Sequence, residues 1–180
     1  MKANRFLPQA LLVIGVVCMS IGQGLAAPIS LDLPVRCDMG KVCFVQNYVD
    51  HDPSPAYKDF ACGYLTYNEH AGTDFRVIDE VAMALATPVV AAAPGVVIGV
   101  RDGEPDVAVS VRGRANLMGL DAGNGVVIDH GDGWQTQYSH LRKGSVLVTK
   151  GQRVARGDVL GMIGESGNAD FPHLDFSVRY

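Results

Sequence analysis

From Pro88 to the end of the chain, apolar residues come in short β-branched runs, each cut off by glycine or proline. "PVVAAAPGVVIGVRDG", "GNGVVIDHGDGWQTQYSHL" and "GSVLVTKGQRVARGDVLGMIGESG" all have this form. Val and Ile are stiff at χ1 and suit a pleated surface, while Gly and Pro end an element within a few residues. No run has the length and spacing of a helix that could organise a core. Such a chain folds as short strands joined by tight turns, and 21 glycines in 180 residues supply those turns. The expected fold is mainly β, a small sandwich or barrel-like domain.

Within it, Val126 to Asp129 and Trp134 to Leu141 read as a hairpin around Gly131-Asp132-Gly133. Two short strands flank the Pro94-Gly95 turn. "IDEVAMALA" is the one segment read as a helical turn, and "EPDVAVSVRGRANLMGLDAG" reads as a long loop over one face. The last ten residues, "FPHLDFSVRY", alternate with a period of two. Leu174, Phe176 and Val178 point one way; His173, Asp175, Ser177 and Arg179 point the other. A His beside a carboxylate on one strand face suits a surface decoration, a buried pair or two members of a metal site. The tail alone leaves all three open.

Residues 1–26 have another character. Lys2 and Arg5 precede an apolar run from Ala10 to Ile21, and small residues follow at Gly24 and Ala26. This is the layout of a secretory signal cleaved between Ala26 and Ala27; an uncleaved membrane anchor is the competing reading. The protein is then exported, to the periplasm or cell envelope, with no membrane span after cleavage. Loss of Lys2 and Arg5, with no acid removed, takes the net charge from −4 to −6. So acidic a chain is a poor nucleic-acid binder. Cys37, Cys43 and Cys62 remain in an irregular lead-in over 27–63, where export favours a disulfide between two of them. Which two pair is open.

Five histidines could do chemistry: His51, His70, His130, His140 and His173. Taken singly, each has a bland reading. His51 lies in a Pro-rich loop and His130 beside a turn. His140 shares a hairpin face with Tyr138, away from Ser139 and Leu141, and His70 four residues before Asp74 is a common coincidence. Together they read differently. A hydrolytic zinc site needs three His, Asp or Glu ligands, an open position for water, and a nearby group to handle protons. His70, Asp74 and Asp175 offer the ligands, and His140 and His173 the proton-handling imidazoles.

"EHAGTDFRV", "GNGVVIDHGDGWQTQYSHL" and "GQRVARGDVLGMIGESGNADFPHLDFSVR" together resemble the lysostaphin-like (LytM-type) zinc endopeptidases that cut peptidoglycan cross-bridges. The three motifs stand in that family's order and cover 64–180. The resemblance implies a β-rich peptidase domain with an open active-site groove above a sheet, one zinc ion per chain, and peptidoglycan cross-links as substrate. It implies zinc ligation by His70 and Asp74, and catalytic roles for His140 and His173. Relatives continue past the last motif, so it also implies a closing segment missing after Tyr180. One position departs from the pattern: Asp175 stands where the family has its third ligand, a histidine. A second carboxylate formally neutralises the zinc and lowers its power to acidify water. That leaves weaker zinc binding, another metal or an empty site open, and a non-catalytic member that binds peptidoglycan or regulates another hydrolase is the alternative. A lipoyl- or biotinyl-type carrier is excluded, because Lys150 precedes a strand rather than capping a hairpin.

Overall fold

The computed structural model describes residues 28–180, so the expected signal segment lies outside the described residues. The β-branched runs become strands β1 Cys43–Asn47, β2 Thr73–Val77, β3 Pro88–Val90, β4 Gly95–Arg101 and β5 Asn124–Gly131. They continue with β6 Trp134–Leu141, β7 Arg153–Val154, β8 Val159–Met162 and β9 His173–Arg179. Seven form one open antiparallel sheet in the order β1-β2-β9-β6-β5-β4-β7, and β3 pairs with β8 in a second small layer. The fold is thus mainly β, a two-layer hybrid whose large sheet does not close into a barrel.

Alternation assigns the two faces of the large sheet. Phe75 and Val77 of β2, Leu174 and Phe176 of β9, Tyr138 of β6 and Val126 and Ile128 of β5 join one buried cluster. Val89, Ala92, Leu160 and Ile163 of the second layer and its flanks complete it. Removing such side chains from water supplies about 1.5–3 kcal/mol each, which drives the two layers together. Asp74, Arg76, His173 and Asp175 occupy the alternate positions and therefore lie on the other face.

The hairpin forms as expected between β5 and β6. The two strands flanking Pro94-Gly95 do not pair with each other: β3 joins the small layer and β4 the large sheet. The chain changes layers there, and the small Ala91, Ala92 and Ala93, all buried, let it pass between them. The helical turn is α1, Glu80–Ala84, capped by Asp79, whose carboxylate accepts from the Ala82 N–H at 2.8 Å. The supposed loop after Glu104 holds α2, Val109–Arg112, and a 3-10 turn, Arg114–Leu117, which buries Leu117. Neither is long enough to show helical periodicity.

The lead-in is stapled by a Cys37–Cys43 disulfide, and Cys62 is free and exposed. The staple sits where the lead-in meets both layers. Val35 bridges to Val89 of β3, and β1 adds an edge strand to β2.

Tyr138 ties the layers by a polar contact inside the apolar cluster. It is fully buried, its ring 5.2 Å from that of Phe176, and its hydroxyl accepts from the Ala92 N–H at 2.8 Å. Removing that oxygen strands a buried N–H. Tyr138→Phe is expected to lower unfolding free energy by about 1–3 kcal/mol in urea denaturation. An unchanged midpoint would contradict this account of the packing.

Candidate metal centre

The register of β2 and β9 sets the site. Asp74 lies directly opposite Asp175, and Arg76 opposite His173. On the far side of β9, Ser139 of β6 lies opposite Asp175. His70 reaches the same place from the turn before β2. Gly72, in that turn, makes room for the cluster, because a Cβ there would collide with Asp175 Oδ1. The ligand atoms of His70, Asp74 and Asp175 come within 4.8 Å of one another.

His70 and Asp74 are buried, and Asp175 is partly open to solvent. Each imidazole is oriented from behind. His70 Nδ1 donates to Tyr48 O at 2.9 Å, His173 Nδ1 to Phe171 O at 2.8 Å and His140 Nδ1 to Ser166 O at 2.7 Å. A carbonyl can only accept, so each neutral ring carries its proton on Nδ1 and turns the Nε2 lone pair elsewhere. His70 Nε2 lies 3.2 Å from Asp74 Oδ1, and His173 Nε2 lies 3.8 Å from the same oxygen. The closer pair is not aligned as a hydrogen bond, and both atoms are buried without a bonded partner. Two lone pairs aimed at shared space want a cation. The other Asp74 oxygen accepts from Asn47 Nδ2 at 2.9 Å, which holds the carboxylate in place.

Charge at the site follows the same geometry. Burial disfavours a charged His70, but the Asp74 carboxylate outweighs it and holds the imidazole above its ordinary pKa. Burial likewise opposes charge on Asp74, yet His70, His173 and Asn47 hold it below the usual carboxylate range. Asp175 goes the other way, pushed up by burial and by Asp74 opposite. His140 is driven down to about 3, by burial first and then by His173, so it stays neutral.

All five expected residues thus meet on one face: the rings of His140 and His173 are 4.6 Å apart. One detail differs from the sequence reading. Strict alternation puts His140 on the Tyr138 face, whereas a register shift at the end of β6 and a left-handed His140, φ 62°, break the period. The bulge turns His140 out of the core and onto the face of Ser139 and Asp175. His51 is an exposed loop residue, and His130 spans Pro94 O and Thr136 Oγ1 at 2.8 and 2.7 Å, away from the cluster. Sequence reasoning missed Asn47, Tyr48 and Tyr67. The Tyr67 ring stacks on His70 at 4.3 Å, and burial with the charges of Asp74 and Asp175 pushes its phenol up to about 12. Only the closeness of Tyr67 to His70 in the chain hinted at it.

An imidazole and two carboxylates converging on one sheet face, beside two further imidazoles, are suited to metal-dependent hydrolysis. The chain belongs to Peptidase family M23, whose profile matches residues 68–180. Peptidoglycan DD-endopeptidase ShyA of Vibrio cholerae serotype O1 is 38% identical over 109 residues, 61% of this chain and 20% of the relative. Peptidoglycan DD-endopeptidase ShyB of the same organism is 35% identical over 123 residues, 68% of this chain and 25% of the relative. The chain therefore spans a fifth to a quarter of the length of these curated relatives. The solved SpoIIIAH and SpoIIQ complex shares the fold, with a TM-score of 0.57 at 19% identity over 83% of this chain and 91% of that one.

Metal loading has a pH signature. Protons on His70 and Asp175 compete with a bound cation, and the upward shift of both groups carries that competition to higher pH than in free side chains. Affinity therefore rises with pH, by up to about tenfold per unit for each proton released. Zinc titrations from about pH 5 to about pH 8 should show this rise as His70 gives up its proton. A flat profile would contradict it.

Proposed function

We propose that this chain is an exported zinc endopeptidase that hydrolyses peptide bonds in peptidoglycan cross-links. The observation that carries the reading is the pair of buried, unpartnered atoms, His70 Nε2 and Asp74 Oδ1, converging with Asp175. Nitrogen and carboxylate oxygen donors suit zinc, and the partial exposure of Asp175 leaves an open side for water. His70, Asp74 and Asp175 would hold one ion, which supplies a polarised carbonyl and a more acidic water. Residues 64–180 are the catalytic domain on this reading, and 27–63 its stapled edge. Export rests on the N-terminal pattern, and the peptidoglycan substrate on the activity for which the ShyA and ShyB relatives are named.

The protein's own residues move the protons. His173 Nε2 faces the cluster with a free lone pair, because Nδ1 is committed to Phe171 O. It takes a proton from the attacking water and returns it to the leaving amine as the carbon–nitrogen bond breaks. His140 is neutral with Nδ1 committed to Ser166 O, so its Nε2 is also an acceptor. Both rings therefore suit proton relay, and either donates to an oxyanion only after it has gained a proton.

The alternative is a member of the family that binds or regulates without cutting, and Asp175 in a ligand position is the observation that favours it. Release of peptides from purified peptidoglycan decides between them. The native protein should cut, a chelator should abolish cutting, and His173→Ala should reduce it by about a hundredfold or more. Asp175→His should raise both zinc affinity and hydrolysis, since the imidazole reaches further than the Asp carboxylate and leaves the site one charge more positive. A native protein that binds cell walls but releases no peptide with any divalent metal would establish the alternative.

A further inference from the structure

Two grooves leave the cluster in different directions and carry opposite charge. One, of about 470 Å³, begins at His70 and is lined by Asp50, Asp52 and Glu69, with no Lys or Arg. The other, of about 330 Å³, begins at Ser139 and carries a single charged residue, Arg101. Arg101 and the cluster lie on one row of the large sheet. Asp175 is opposite Ser139, Gly125 sits in the bulge across from Ser139 and His140, and Arg101 is opposite Gly125. The floor between them is flat because it cannot be otherwise: a Cβ at Gly125 would lie 2.5 Å from Tyr138 O.

The Arg101 guanidinium has unspent donors. Its Nε donates to Gly123 O, and among the described residues no carboxylate pairs with it. Arg112 and Arg156 are engaged differently, in ion pairs with Glu104 and Asp32. An unpaired guanidinium in a groove of an acidic chain is a site for an anion, and its planar fork matches a carboxylate.

Resting on the proposed peptidase reading, we infer that Arg101 is a specificity-determining residue that binds a free carboxylate of the cross-link peptide. Three strand spacings separate Asp175 from Arg101, about 14 Å. An extended peptide crosses that span in about four residues. The carboxylate thus belongs to a residue within about four positions of the cut bond. The acidic groove at the other end repels it, so the two grooves together set the direction in which the peptide lies.

The test is a binding titration on the metal-free full chain, with hydrolysis not read. The probes are a cross-linked stem-peptide dimer released from peptidoglycan and the same dimer with its carboxylates amidated. The native protein should bind the free acid about tenfold or more tightly than the amide. Arg101→Gln should remove that preference by weakening acid binding alone, and Arg101→Lys should keep part of it. Equal affinity of the native protein for acid and amide, binding of neither, or a preference that survives in Arg101→Gln overturns the inference. If Arg101→Gln does not fold, the acid-against-amide ratio of the native protein decides by itself. A protein that cuts peptidoglycan yet lacks the preference removes this inference and leaves the peptidase reading standing; a protein that has the preference but never cuts does the reverse.

Discussion

Two carboxylates, Asp74 and Asp175, face each other across one antiparallel strand pair. Like charges directly opposite each other oppose strand pairing, and here the pair lies inside the sheet rather than at its edge. Something positive has to stand between them, or one must hold a proton. Without a cation the two carboxylates are pushed apart in behaviour: burial and the Asp74 charge move Asp175 up, while His70 and His173 hold Asp74 low. A cation between the two carboxylates takes the first course and resolves the repulsion that the strand register creates.

The rest of the structure holds that arrangement in place. The apolar cluster fixes the register of β2, β9 and β6, because a shift by one residue would send Phe75, Leu174 and Phe176 to the wrong face. The lead-in and the segment after it then cover the polar face, with Tyr48 O orienting His70, Asn47 holding Asp74 and Tyr67 stacked on His70. Phe171 does the same for His173, its ring 4.5 Å away. Three backbone carbonyls orient three imidazoles, so ring positions depend on the main chain rather than on mobile side chains.

Much of this was legible in the chain, and the exceptions have physical causes. The β-branched runs and their glycines revealed the strands, and period-two alternation placed His173 and Asp175 together away from the core. The three motifs named all five residues that meet at the cluster. Alternation misplaced His140, because a bulge is a main-chain event with no hydrophobic period of its own. The break between β3 and β4 was hidden because both strands look alike locally and only tertiary packing assigns them to different layers. Asn47 and Tyr48 lie more than twenty residues from the residues they orient, and no local pattern marks them.

With Asp175 as the proposed third ligand, the cluster makes a particular demand on a metal. The proposed donor set, one nitrogen and two carboxylates, would favour harder cations more than a set with two imidazoles does, although zinc remains a good fit. X-ray absorption at the zinc edge of the purified, zinc-loaded protein tests the central claim most directly. The account predicts one zinc per chain, with a single imidazole and oxygen donors at about 2.0–2.2 Å, and loss of one oxygen donor in Asp175→Ala. A spectrum with two or more imidazoles, with sulfur, or unchanged by Asp175→Ala would contradict it.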